Sequence, residues 1–245
     1  MATERHRSDT DPGDTDPAGR DLDAGAEPHP DEGGGAERFV PRSRSLRTLG
    51  AAAESCHGCE LYRNATQTVF GSGPRTARVL LLGEQPGDQE DRLGEPFVGP
   101  AGHLLDRALA EAGLPERDVY RTNAVKHFRW RPPPGGGRRR IHQSPTQGQI
   151  TACRPWLLAE VEAVRPAVIV ALGASAGKSL FGPSFRVGDA RGSVRTWSAE
   201  PEAASAAGIA VMTTIHPSAV LRADDREAAF DGFVADLRRA AEVLK

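Results

Sequence analysis

A chain of 245 residues and 26.1 kDa is long enough for one sizeable domain and hardly for two. Its 31 basic and 33 acidic residues nearly cancel, but unevenly: residues 1–38 hold 11 acidic side chains and four Arg, a net of −7, leaving 27 basic and 22 acidic residues, a net of +5, over 39–245. No stretch approaches the roughly 18 uninterrupted apolar residues of a membrane helix, and the first residues lack an apolar signal-peptide core, so membrane and secretory classes are excluded and a cytoplasmic protein is expected.

Three Cys is an odd number for a chain of this size. A disulfide scaffold is disfavoured, and a thiolate-rich metal site in a reducing compartment is expected instead. Residues 1–44 are mostly Asp, Gly, Pro and Glu with almost nothing to bury, which reads as a disordered acidic tail ahead of one domain over 45–245. Order should begin near Ser45, where Leu46, Leu49 and Ala52 start a helical spacing that runs into Cys56. Residues 78–83, Arg-Val-Leu-Leu-Leu-Gly, form a short apolar run ended by Gly, the pattern of a strand buried on both faces. An amphipathic helix follows over 102–112, with Leu104, Leu105, Ala108 and Leu109 on one side and Gly113 as its stop. Residues 119–125 read as a second strand. The Pro-, Gly- and Arg-rich stretch 131–148 is too long and too charged for a plain connector, and such loops often carry function. Beyond it the pattern predicts a helix over 149–164, a third buried strand over 167–173, a short helix over 175–181 and a fourth strand over 209–215. A closing helix over 224–244 turns Phe230, Phe233, Leu237 and Val243 inward.

Strands alternating with helices imply right-handed βαβ units, and so an α/β fold: three layers, α/β/α, around a central four-stranded, mostly parallel sheet. Ligands of such sheets bind beyond the carboxyl ends of the strands. The segments found there are Gly83-Glu84-Gln85-Pro86-Gly87-Asp88, Asn123-Ala124-Val125-Lys126-His127 and His216-Pro217-Ser218. A carboxylate, an amide and an imidazole at one mouth suit a small hydrogen-bonding ligand and acid–base or nucleophilic work. Separately, Cys56-His57-Gly58-Cys59 supplies two thiolates at the spacing of one metal or one cluster face, and Cys153 adds a third. A fourth donor is needed, and zinc and iron–sulfur both remain open.

The run Gly83-Glu84-Gln85-Pro86-Gly87-Asp88-Gln89-Glu90-Asp91, continued by Gly94-Glu95-Pro96-Phe97-Val98-Gly99-Pro100-Ala101-Gly102, resembles the first motif of the iron–sulfur (family 4) uracil-DNA glycosylases. His216-Pro217-Ser218 resembles their second, and the likeness spans roughly residues 46–243. More narrowly, Gln85 after Glu84, His127, and the insertion ending Arg138-Arg139-Arg140-Ile141-His142 resemble the UdgX branch, whose members excise uracil and become joined to the abasic sugar through the His of a Lys-Arg-Arg-Ile-His loop. Arg138 stands where that pattern has Lys, which keeps the charge.

The resemblance implies a uracil-DNA glycosylase-like domain, a [4Fe-4S] cluster on Cys56, Cys59, His127 and Cys153, and uracil-containing DNA as partner, single-stranded by expectation, bound by a monomer. Excision requires flipping, stacking and reading the base. Phe97 is the stacking candidate, and Asn123 offers an amide that accepts from N3–H while donating to O4. Gln85 and Asp88 are placed with them at the uracil. His216 is to donate to the departing base at O2, and Glu84 to stabilise the cationic sugar and orient the nucleophile. Ser218, Arg222 and the Arg138, Arg139, Arg140 run are placed on the DNA backbone. His142 is the expected nucleophile at C1′. The alternatives are a multiple-turnover family 4 enzyme that admits water there, or a non-catalytic DNA or nucleotide binder on the same scaffold.

Overall fold

The apolar runs do pair into a sheet. A computed structural model describes residues 34–199 and 208–245. The chain passes through α1 (Leu46–Ala53), β1 (Val79–Gly83), α2 (Asp88–Leu93), α3 (Pro100–Ala112), β2 (Val119–Asn123), β3 (Trp130–Arg131), β4 (Ile141–His142) and α4 (Gln147–Val164). It continues through β5 (Val168–Leu172), α5 (Ala174–Phe181), α6 (Val187–Ala190), β6 (Val194–Trp197), β7 (Ile209–Thr214), α7 (Pro217–Leu221) and α8 (Arg226–Glu242).

The sheet order is β2-β1-β5-β7-β6, with β6 antiparallel to β7 and the other pairings parallel. Every residue of β1 and β5 is buried, as uninterrupted apolar strands between two helical layers require. Alternate side chains serve opposite layers: Val79 and Leu81 pack with Leu105, Leu109, Phe233 and Leu237, whereas Leu80 and Leu82 pack with Leu157, Val161 and Leu180. A third cluster, under α1 and α4, gathers Leu49, Ala53, Ile150 and Trp156 around Cys56, Cys59 and Cys153.

Three expectations change. The sheet has a fifth strand, β6, which no apolar run announced because three of its four residues are exposed. Val243 is the cap that ends α8 and is 37% exposed instead of facing inward. The packed domain also begins before Ser45: Ala36 is 1% exposed, its N–H donates to Ala152 O at 2.8 Å, and Gly35 N–H donates to Gly58 O at 3.2 Å. Residues 1–33 of the expected tail lie outside the described residues. Among those described, no helix is long and apolar enough to cross a membrane.

Candidate active site

The β1–β2 register sets Gly83 opposite Asn123 at the carboxyl rim of the sheet. A Cβ at position 83 would fall 2.2 Å from Asn123 Oδ1 and 2.7 Å from Phe97 Cζ, so only glycine lets the amide and the ring share that space. Asn123 is 3% exposed as a whole residue, and its side-chain amide, which has no hydrogen-bond partner among the described residues, still reaches solvent at the rim. Buried amides are normally paired. An open one beside an aromatic ring marks a seat for a planar ligand that both donates and accepts.

Phe97 is 6% exposed and sits at φ 60°, a left-handed conformation that side chains with a Cβ rarely adopt. Such strain costs on the order of 1–3 kcal/mol and survives only where the surroundings impose it. Here Gly102, at the start of α3, presses on the Phe97 carbonyl so closely that a Cβ would lie 1.7 Å from its oxygen. The ring stacks on His216 with centroids 6.5 Å apart and planes at 27°.

His216 caps α7, and the Ser218 N–H donates to its Nδ1 at 3.2 Å. An accepting Nδ1 leaves the proton on Nε2. Burial, helped by the charges of His142 and Arg222, lowers the imidazole to about 4, so it is a neutral Nε2–H donor at pH 7. Ser218 Oγ lies 2.8 Å from the same Nδ1. Ser218 therefore orients His216 in the free chain.

Glu84 follows β1 at this rim. Its Oε2 accepts from Ser175 Oγ at 2.6 Å and its Oε1 stands 3.5 Å from His142 Nε2. His142 lies on β4, opposite Trp130 of β3, with 47% of its side chain exposed. Burial draws its imidazole below the ordinary value; Glu84 acts against that shift and Arg222 with it.

The hairpin carrying His142 is fastened at its base. Gln85 Nε2 donates to Arg129 O at 3.1 Å and to Gln143 O at 2.9 Å, while its Oε1 accepts from Arg129 N–H at 3.1 Å. That uses both amide protons and the amide oxygen, so Gln85 clamps the hairpin and does not face a base. Arg140 pairs with Asp88 and, at 2.5 Å, with the fully buried Asp91, and its guanidinium lies 5.3 Å from the Phe128 ring and 5.6 Å from that of Trp130. Burial raises the Asp88 carboxyl, but hydrogen bonds from Arg92 and Arg140 outweigh it and hold the group below its ordinary value. Asp88 and Arg140 are thus paired with each other in the free chain. Arg138, Arg139 and Arg222 are exposed. Arg222 ends α7, and its charge bears on both His142 and His216.

Behind Asn123 lies a buried ion pair that the sequence reading did not anticipate. Lys126 Nζ meets Glu160 Oε2 at 2.6 Å, with the two side chains 1% and 0% exposed. The same Nζ donates to Thr122 Oγ1 at 2.6 Å and to Asn123 O at 2.8 Å, which pins the turn after β2. Glu160 Oε1 accepts from Gly71 N–H, Tyr120 Oη and Thr122 Oγ1. A fully satisfied network of this kind fixes one geometry.

The cysteines are all buried and free of disulfides. Trp156 Nε1 donates to Cys56 Sγ at 3.2 Å, and Lys126 N–H donates to Cys153 Sγ at 3.3 Å. Burial pushes the Cys153 thiol up to about 12, Lys126 works against that shift, and Cys59 and Cys56 are near enough to add to it. Thr68 Oγ1 donates to Ala53 O at 2.9 Å and lies 2.9 Å from His127 Nε2. The hydroxyl gives its one proton to the carbonyl, so Nε2 bears the other and His127 Nδ1 is the bare nitrogen, the state a metal ligand needs. Three thiols with N–H donors on two sulfurs, plus an imidazole set in one tautomer, are a donor set of the kind that zinc or an iron–sulfur cluster takes. No three His, Cys, Asp or Glu among the described residues converge as ligands of one ion. A cluster takes its ligands at separate irons and so holds them further apart.

Five of the expected site residues therefore meet at one rim: Glu84, Phe97, Asn123, His142 and His216. Ser175 joins them unannounced, although it follows β5 just as the others follow their strands, where the strand-end rule would have found it. Fold and site define a doubly wound α/β protein with a cluster of hydrogen-bonding side chains and one aromatic ring at the carboxyl ends of its parallel strands. The chain belongs to the uracil-DNA glycosylase superfamily, matching the family described as "Uracil DNA glycosylase superfamily" over residues 70–238. It is 37% identical over 183 residues to a type-4 uracil-DNA glycosylase of Thermotoga maritima, covering 74% of this chain and 85% of that protein. It is 34% identical over 182 residues to the type-4 protein of Saccharolobus solfataricus, covering 72% and 77%. With a type-5 uracil-DNA glycosylase of Pyrobaculum aerophilum it shares 30% identity over 184 residues, 69% of this chain and 73% of that protein.

Proposed function

We propose that this protein excises uracil from DNA, the activity that its type-4 relatives are named for, and that it turns over. The observation that carries the reading is the side-chain amide of Asn123, unpartnered at the rim beside Phe97. With the amide oxygen turned to N3, uracil offers N3–H to that oxygen and O4 to the NH2, and cytosine, with a bare N3 and an N4–H donor, does not complement that orientation. As the C1′–N1 bond breaks, its electron pair leaves with the base, and the His216 Nε2–H stabilises the charge that reaches O2. Glu84 faces the cationic sugar and aligns a water whose oxygen bonds to C1′ while a proton passes to the carboxylate.

A second reading, covalent trapping, is favoured by one distance: His142 Nε2 stands 3.5 Å from Glu84 Oε1. Here the lone pair of a bare Nε2 bonds to C1′ as the C1′–N1 electron pair leaves with uracil, Glu84 stabilises the cationic sugar between them, and the other ring nitrogen then loses its proton to solvent, which leaves a neutral N-linked imidazole. Cys56, Cys59, His127 and Cys153 would hold a [4Fe-4S] cluster, which staples the α1 region to the sheet and supplies no step of the excision. The DNA partner is single-stranded and the protein acts as a monomer in this proposal.

Incubation with a uracil-containing oligonucleotide, resolved on a denaturing gel, tests all of it. An abasic product without a retarded band supports turnover, a denaturant-resistant protein–DNA band supports the trap, and the absence of both refutes excision. Iron and sulfide analysis together with the visible spectrum tests the cluster, and zinc alone would overturn it.

A further inference from the structure

We propose that Ser175 is a positioning residue that sets the carboxylate of Glu84 for the reaction at C1′. The inference deepens the excision reading and rests on it. Glu84 lies on the loop leaving β1, where its backbone is tied down through its carbonyl, which accepts from Val125 N–H at 3.0 Å. The carboxylate is a freely turning group on a two-carbon stem unless something holds one oxygen. Ser175 does so: its hydroxyl donates to Oε2 at 2.6 Å, a length typical of a bond from a neutral hydroxyl to an ionised carboxylate.

The donor is itself rigid. Ser175 is 8% exposed and sits in the first turn of α5, which starts directly after the buried strand β5. The helix does not need that hydroxyl, because its N-cap is Gly173 and no side chain caps it. With Oε2 held, Oε1 is the oxygen left to face His142 Nε2, 3.5 Å away. The same oxygen addresses water in the turnover reading, so the role of Ser175 is common to both.

The test compares the full-length protein with Ser175→Ala and Ser175→Thr, each also combined with Glu84→Gln, in single-turnover assays on a uracil-containing oligonucleotide. Ser175→Ala should slow the chemical step by about tenfold, while half-saturating DNA concentration and melting temperature stay close to the parent, because orientation is lost and binding is not. Ser175→Thr restores the hydroxyl and should recover the rate to within about twofold. On the Glu84→Gln background Ser175→Ala should cost almost nothing further, since the two act as one unit. An unchanged rate in Ser175→Ala, or an equal loss on both backgrounds, overturns the proposal. Crystal structures of parent and Ser175→Ala give a readout independent of activity: the Glu84 carboxylate should leave its single position in the variant, and a carboxylate that stays put refutes the role. If the parent releases no uracil, the excision reading fails while that structural comparison still decides the question for Ser175.

Discussion

Replacing Lys126 by Met strips the buried Glu160 carboxylate of its paired cation. In the parent the pair is 1% and 0% exposed and separated by 2.6 Å. Three neutral donors, on Gly71, Tyr120 and Thr122, stay with Glu160, but they do not neutralise its charge. Breaking a buried pair from one side costs about 3–5 kcal/mol. The Asn123 carbonyl also loses its Nζ donor, which adds about 1 kcal/mol. For a domain of this size roughly 2–4 °C of melting temperature goes with each kcal/mol, so Lys126→Met should melt about 8–24 °C below the parent. Lys126→Met combined with Glu160→Gln removes the stranded charge and should recover a large part of that loss. Thermal unfolding followed by circular dichroism at pH 7 measures both. A single variant that melts within about 2 °C of the parent, or a double variant that loses the sum of both single effects, refutes the coupled buried pair.

Asn123→Asp presents an acceptor to the O4 acceptor of uracil, and excision should fall by about 1–3 kcal/mol per unmet hydrogen bond; unchanged excision moves the base seat elsewhere. Arg222→Ala should flatten the salt dependence of DNA binding by about one unit of slope, whereas Arg140→Ala, already spent on Asp88 and Asp91, should leave the slope as it is while loosening the hairpin. A reduced slope in Arg140→Ala would show that the ion pairs open on DNA. His216 stays neutral in the folded chain down to about 4, whereas an unfolded His takes up its proton near 6.5. Between those values the unfolded state binds more protons, so lowering the pH costs stability by up to about 1.4 kcal/mol per unit from this group. His216→Gln should accordingly melt with a shallower pH dependence from pH 6 to 4, and identical slopes would refute the buried neutral imidazole.

How much of this was legible in the chain follows from what each element announces. Strands β1, β5 and β7 and helices α3, α4 and α8 are long enough for apolar periodicity to show them. Helix α2 reads Asp-Gln-Glu-Asp-Arg-Leu and has one buried residue, so its signal lies in the glycines that bound it, Gly87 and Gly94, the latter at φ 77°. Strand β6 is an edge with one buried side chain. In the site, Glu84, Asn123 and His216 were found because the end of a parallel strand is a place that the sequence marks. Gln85, Asp88, Arg140 and Ser218 were given to ligands, whereas in the free chain each bonds to another part of the protein. For Gln85, Asp88 and Arg140 residue type cannot reveal this, since the partners are remote: Arg140 meets Asp88 across 52 positions and Gln85 meets Gln143 across 58.

The hairpin that bears His142 is anchored at one end only. Its base is bound through Gln85, Arg129 and Arg140, while at its tip Gly135 and Gly136 have nothing within 4 Å of where a side chain would project. The tip can thus be lengthened without shifting the imidazole, because exposed turns of small residues accept insertions that a bonded base would not, while Gly135 and Gly136, at φ 84° and 82°, keep a backbone that side chains with a Cβ rarely adopt. The tip is a natural handle: a fluorophore or affinity peptide grafted between those two glycines would report on DNA engagement from beside the reactive centre while leaving its geometry alone.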